Sequence, residues 1–224
     1  MVLHPVFPLT IAFGLLLSRG LIGSGGEDLV SVWLLGAATV GILIGVVLTT
    51  NVAALRARRD GVDELYGSLP APPEARTAGL LAGLLIGPGA LAVLVAALGW
   101  AVLSRIPRFA DDVDPLLAAQ FVLAVIALGT IGIAVGRWIP TLLGGPIVVA
   151  LHVFTGLIWA VPWIATTEEI DLGWHLVYLV AAPLTWSALA FARDRRTIIR
   201  FAVAGAAFAI GVVAAFLQVP PGGY

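Results

Sequence analysis

Long apolar runs separated by short polar loops are the dominant pattern along this chain. Seven runs fall at about 6–22, 30–54, 78–104, 116–136, 139–164, 174–192 and 201–219. A helix needs roughly 20 apolar residues to cross the hydrocarbon core of a bilayer. The pattern therefore predicts an all-α, polytopic transmembrane helical bundle of about six to seven spans. We expect a single transmembrane domain over residues 1–224, with one polar loop at 55–77.

The composition agrees with this pattern. Of the 224 residues, 60% are hydrophobic and 11% are charged, and the mean hydropathy is +1.07. A soluble domain carries about 25% charged residues. The chain has no cysteine, which excludes disulfides and thiolate metal sites. All 12 basic residues are arginines, and with 26 glycines and 14 prolines this suggests a GC-rich bacterial genome.

The arginines are distributed unevenly between alternate loops. If the 55–77 loop lies in the cytoplasm, nine arginines lie inside: Arg56, Arg58, Arg59, Arg76, Arg137, Arg193, Arg195, Arg196 and Arg200. Arg19, Arg105 and Arg108 then lie toward the outside. Cytoplasmic loops of membrane proteins carry an excess of arginine and lysine. We therefore predict a bacterial inner-membrane protein with its N-terminus inside and its C-terminus outside.

The segment Leu55–Arg76 is the only long polar stretch. Its apolar residues follow the i, i+3, i+4, i+7 spacing of one helix face: Val62, Leu65, Tyr66 and Leu69. The opposite face carries Asp60, Asp63 and Glu64, and prolines at 70, 72 and 73 end the segment. An interfacial helix that binds anionic lipid has a basic polar face. The acidic face instead favours a protein partner.

This segment resembles the cytoplasmic coupling helix of the permeases of type-2 ATP-binding-cassette (ABC) exporters, which lies between spans 2 and 3. The resemblance covers about 25 residues and rests on three groups: Arg56, Arg58 and Arg59; Gly61, Glu64 and Leu65; Leu69 and Pro70. The family usually has six spans per unit, so one segment in the last third of this chain is either a seventh span or a re-entrant element.

The resemblance implies a function and a set of partners. The chain would be the permease subunit of an ATP-driven transporter that exports a hydrophobic or amphiphilic substrate. It would bind two copies of a P-loop ATPase and pair with an identical or homologous permease in the bilayer. The residues implied to dock the ATPase are Val62, Asp63, Glu64, Leu65, Tyr66 and Leu69.

Several other chemistries lack support in the sequence. A P-loop requires a lysine, and the chain has none, so this chain is not expected to hydrolyse nucleotide through a P-loop. The resemblance implies that ATP and Mg²⁺ bind in the partner ATPase and that this chain binds no cofactor. All 13 acidic residues map to loops or span ends. Ion-driven carriers usually place carboxylates inside the membrane. We expect neither enzymatic activity nor nucleic-acid binding.

Glycine and proline mark two further features. Gly144, Gly145 and Pro146 predict a kink or local break early in the fifth run. Discontinuous helices often line substrate paths in transporters, whereas an inert kink is the other interpretation. Small-xxx-small pairs, which permit close helix approach, occur at Gly41/Gly45, Gly79/Gly83 and Gly132/Gly136.

Two alternative functions remain open on the sequence. The chain could be a non-transporting scaffold or assembly subunit that docks a soluble partner through the 55–76 loop. It could also be a membrane enzyme that binds a metal through Asp111, Asp112 and Asp114, with Glu168 and Asp171.

Overall fold

The computed structural model describes residues 5, 8–10, 12, 27–61, 68, 72, 74–105, 115–154 and 171–218, and the following account concerns these residues. They form seven α-helices: α1 (Glu27–Arg59), α2 (Glu74–Leu84), α3 (Ala90–Leu103), α4 (Pro115–Trp138), α5 (Gly144–Phe154), α6 (Leu172–Asp194) and α7 (Ile198–Leu217). A π-helical turn, Leu85–Gly89, joins α2 to α3, so that Glu74–Leu103 form one continuous helical segment.

Five stretches of the described chain are long and apolar enough to span a membrane. They are Thr39–Arg56, Glu74–Leu103, Ala118–Trp138, Leu172–Asp194 and Ile198–Leu217. They match the second, third, fourth, sixth and seventh predicted runs. The prediction of an all-α, multi-pass membrane protein is therefore confirmed by helix length and hydropathy. Most of the first run and residues 155–164 of the fifth lie outside the described residues.

Helices α1 and α4 form the centre of the bundle. About two-thirds of each candidate span is buried (67% in both), against 22% for α7. The predicted Gly132/Gly136 pair lies at their contact. A Cβ on Gly132 would lie 2.2 Å from Thr50 Oγ1 and 2.6 Å from the carbonyl oxygen of Val47. The absence of a side chain allows the two backbones to pack this closely.

The Gly79/Gly83 pair behaves differently. A Cβ on Gly79 would meet nothing within 4 Å, and Gly79 is exposed. Glycine spacing alone therefore does not identify a packing face, because the same spacing also occurs where a helix faces outward.

The helix ends define two ends of the bundle. The end of α1, the start of α2, the ends of α4 and α6 and the start of α7 come together. They carry Arg56, Arg58, Arg59, Arg76, Arg137, Arg193, Arg195, Arg196 and Arg200, which we call the arginine-rich end. At the opposite end the start of α6 meets the end of α7, where the Asp171 amide donates to the carbonyl oxygen of Gln218 at 2.8 Å.

Candidate functional site

The polar segment between α1 and α2 is shorter than the predicted Leu55–Arg76, because both helices extend into its ends. Helix α1 continues through the arginines to Arg59, and Gly61 follows with a φ of 69°. The Gly61 amide donates to the carbonyl oxygen of Arg58 at 3.1 Å. A glycine in the left-handed region commonly ends a helix in this way. Glu74–Arg76 already form the first turn of α2.

The residues predicted to dock an ATPase lie outside the described part of the chain. These are Val62, Asp63, Glu64, Leu65, Tyr66 and Leu69. The structure describes the attachment of the segment on either side, at Gly61 and Glu74. Both attachment points lie at the arginine-rich end.

An ion pair joins the ends of α4 and α6. The Arg137 guanidinium pairs with the Asp194 carboxylate, and their side chains are 11% and 3% exposed. The Thr77 hydroxyl of α2 donates to the other oxygen of Asp194, and Thr77 is fully buried. One carboxylate therefore connects three helices. Charge-assisted bonds of this kind are stronger than neutral ones.

A second ion pair joins α2 to α7. Arg200 Nη2 lies 2.7 Å from Glu74 Oε1, and Arg200 Nη1 donates to the carbonyl oxygen of Phe191 at 2.6 Å. On the side of α1, Arg76 Nη2 donates to the carbonyl oxygen of Ala54 at 3.5 Å. The first turn of α2 thus has polar links to α1, α6 and α7.

A cavity of about 280 Å³ lies among these helix ends. Its charged lining comes from four helices: Arg58 of α1, Arg76 of α2, Arg137 of α4, and Arg193 and Asp194 of α6. Ala54 and Gly136 complete the lining. Sequence reasoning assigned these arginines to one side of the membrane, but their convergence on one cavity depends on the helix packing.

Gly144, Gly145 and Pro146 form the first turn of α5. The helical structure is interrupted at residues 139–143, so the predicted break lies before these three residues and not at them. Gly144 and Gly145 are buried, whereas Pro146 is exposed. A Cβ on Gly145 would lie 3.2 Å from Asn51 Cβ. The glycines thus bring α5 against α1. Whether they line a substrate path stays a prediction.

Asn51 is a polar residue that the sequence reasoning missed. It is 1% exposed, and neither its Oδ1 nor its Nδ2 has a hydrogen-bond partner among the described residues. The neighbouring hydroxyls of Thr49 and Thr50 instead donate to the carbonyl oxygens of Gly45 and Val46, at 2.7 and 2.6 Å. The sequence offered one signal for this residue, an amide side chain within the apolar run 30–54. Unpaired buried polar groups are uncommon.

The acidic residues considered as metal ligands are only partly described. Asp171 caps the N-terminus of α6, and its Oδ1 accepts from the amides of Gly173 and Trp174 at 2.9 and 3.1 Å. No group of three or more potential metal ligands occurs within the described ranges. Asp111, Asp112, Asp114 and Glu168 lie outside those ranges.

Comparisons with protein-family models, curated proteins and solved structures found no match for this chain.

Proposed function

We propose that this chain is the membrane-spanning permease subunit of an ATP-driven ABC transporter that exports a hydrophobic or amphiphilic substrate. The observation that carries the proposal is the attachment of the polar segment. It connects two candidate spans at the arginine-rich end, and the second of these spans begins with a turn that has polar links to three other helices.

Such an attachment suits the transmission of force. In the proposed complex, Val62, Leu65, Tyr66 and Leu69 pack into the ATPase, and Asp63 and Glu64 pair with its basic rim. Displacement of the segment would pull on Glu74 and Thr77. Because Thr77 contacts the Arg137–Asp194 pair, the movement would reach α4 and α6.

The arginine excess supports the orientation that the proposal needs. Nine of the 12 arginines lie at one end of the bundle, and such an excess marks the cytoplasmic side. The polar segment would then face the compartment that supplies ATP and Mg²⁺ to the partner. The ATPase would be present in two copies, with a second permease that is identical or homologous.

A substrate path beside Gly144, Gly145 and Pro146 would require movement of α5. Gly144 and Gly145 pack tightly against Val135 and Asn51. A path here would open only when α5 separates from α1 during the transport cycle.

A pull-down tests the proposal. The tagged chain is purified from its own host in mild detergent, and the retained proteins are identified by mass spectrometry. We expect a stoichiometric P-loop ATPase, which is lost when Leu65→Asp and Tyr66→Asp are combined. Leu217→Asp is the control, because it places an aspartate at an exposed leucine at the opposite end.

The amount of each variant in the membrane is measured alongside. If the double variant inserts normally and still retains the ATPase, the assignment of Leu65 and Tyr66 is wrong. Recovery of a soluble protein without a P-loop would replace the transporter proposal with the scaffold alternative.

A further inference from the structure

The cavity at the arginine-rich end has a strongly positive lining. Among the described residues, four guanidinium groups and one carboxylate line it, so these residues carry three positive charges in excess (four minus one). That carboxylate, Asp194, is already engaged by Arg137 and Thr77. Like charges held close together repel one another, and an anion between them would offset that repulsion.

The shape of the cavity depends on small residues at its wall. Ala54 and Gly136 belong to the two central helices, and a Cβ on Gly136 would lie 2.8 Å from Ala54 Cβ. These two residues bring the backbones together without placing long apolar side chains in the cavity. At about 280 Å³, the space is near the lower end of the size range of small-molecule sites.

The depth of the cavity matches that of lipid headgroups. Each arginine in its lining lies within two residues of the end of a candidate span: Arg58 follows Arg56, Arg76 follows Glu74, Arg137 precedes Trp138 and Arg193 precedes Asp194. Because these spans are assigned by helix length and hydropathy, their ends would lie near the level of the headgroup phosphates. Basic pockets between transmembrane helices bind lipid headgroups on the cytoplasmic side of membranes, which is the side that the arginine excess indicates for this cavity.

We propose that this cavity binds a phosphate group, supplied by an anionic phospholipid headgroup or by a soluble phosphate compound. The planar guanidinium group offers paired N–H donors that match phosphate oxygens, which a single ammonium group does not. Arg58 and Arg193 approach from α1 and α6, so the bound phosphate bridges a central helix and a peripheral one. This proposal does not depend on the transport role.

The test uses the purified full-length chain in nonionic detergent. Phosphatidylglycerol is compared with phosphatidylcholine, and sodium phosphate is compared with sodium chloride at equal ionic strength. The thermal unfolding midpoint and lipid retention in native mass spectrometry are measured. Stabilisation by phosphatidylglycerol alone identifies a lipid source, whereas stabilisation by inorganic phosphate alone identifies a soluble source.

Matched variants locate the site. Arg58→Gln with Arg193→Gln removes two arginines from the lining, and Arg59→Gln with Arg195→Gln removes two neighbouring exposed arginines outside it. We expect the first pair to weaken the apparent affinity about thirtyfold, that is, about fivefold for each arginine removed from the neighbourhood of an anionic surface. The second pair should weaken it far less.

Two results would overturn the proposal. One is that neither phosphatidylglycerol nor phosphate affects the wild-type chain more than its neutral or chloride control. The other is that both variant pairs lose binding equally, which would indicate a diffuse surface effect. Each single variant is also made, and the wild-type comparison alone decides whether a phosphate binds if the double variant does not fold.

Discussion

The Asp194 carboxylate at the end of α6 pairs with the Arg137 guanidinium at the end of α4, and only 3% of the Asp194 side chain is exposed. Because Thr77 also donates to this carboxylate, three helices depend on one charge. Arg193 and Arg195 flank Asp194 directly in the sequence, yet its partner lies on another helix.

Asp194→Asn is expected to destabilise the protein by about 3–5 kcal/mol, because it leaves the Arg137 charge buried without its counter-ion. The midpoint of thermal unfolding in detergent measures this change. Glu74→Gln is the control, since its partner Arg200 is more accessible, and we expect a much smaller shift. Combining Asp194→Leu with Arg137→Met should restore much of the loss, and failure to do so would contradict the ion-pair explanation.

Gly132→Ala is expected to destabilise the α1–α4 contact by about 1–3 kcal/mol, the usual cost of overpacking. The added methyl group would overlap Thr50 Oγ1 and the backbone carbonyl of Val47, and the latter cannot move aside without shifting α1. The unfolding midpoint reports the effect.

Gly79→Ala provides the control for that change. The same methyl group meets nothing within 4 Å at this position, and alanine favours a helix over glycine by about 0.5–1 kcal/mol. We expect no loss of stability. Equal destabilisation by the two variants would mean that the close contact at Gly132 is not what alanine disturbs.

Asn51→Leu is expected to stabilise the protein by about 1–3 kcal/mol, because it removes a buried amide without hydrogen-bond partners in the described structure and keeps a similar side-chain shape. Thr50→Val is the control and should bring no such gain, since the Thr50 hydroxyl already donates to Val46. A lower unfolding midpoint for Asn51→Leu would show that the amide makes a favourable interaction in the membrane.

The absence of cysteine makes the orientation directly measurable. We expect Arg105→Cys, at the exposed end of α3, to react with a membrane-impermeant maleimide in intact cells. Thr141→Cys, exposed near the arginine-rich end, should react only after permeabilisation. The reverse labelling pattern would place the polar segment outside and remove the basis for an ATPase partner.

A structural feature can be predicted from this sequence when the forces that produce it act within one segment of the chain. Apolar run length predicts a span because each helix satisfies its own backbone hydrogen bonds in the bilayer, whatever its neighbours. The boundaries at the polar segment were less predictable. The polar pattern predicts that Leu55–Arg59 belongs to the coupling segment, but these residues continue α1, and Gly61 then adopts a positive φ.

The sequence by itself determined the helical class, the five spans that the structure describes and the gathering of nine arginines at alternate loops. Only the tertiary structure decided that Asp194 pairs with Arg137, that Gly132 is a contact while Gly79 is not, and that four arginines line one cavity. Hydropathy and charge act on each segment separately. Pairing, packing and cavity shape depend instead on how each helix is rotated against its neighbours, which the pattern of apolar residues leaves open in a chain that is hydrophobic on most helix faces.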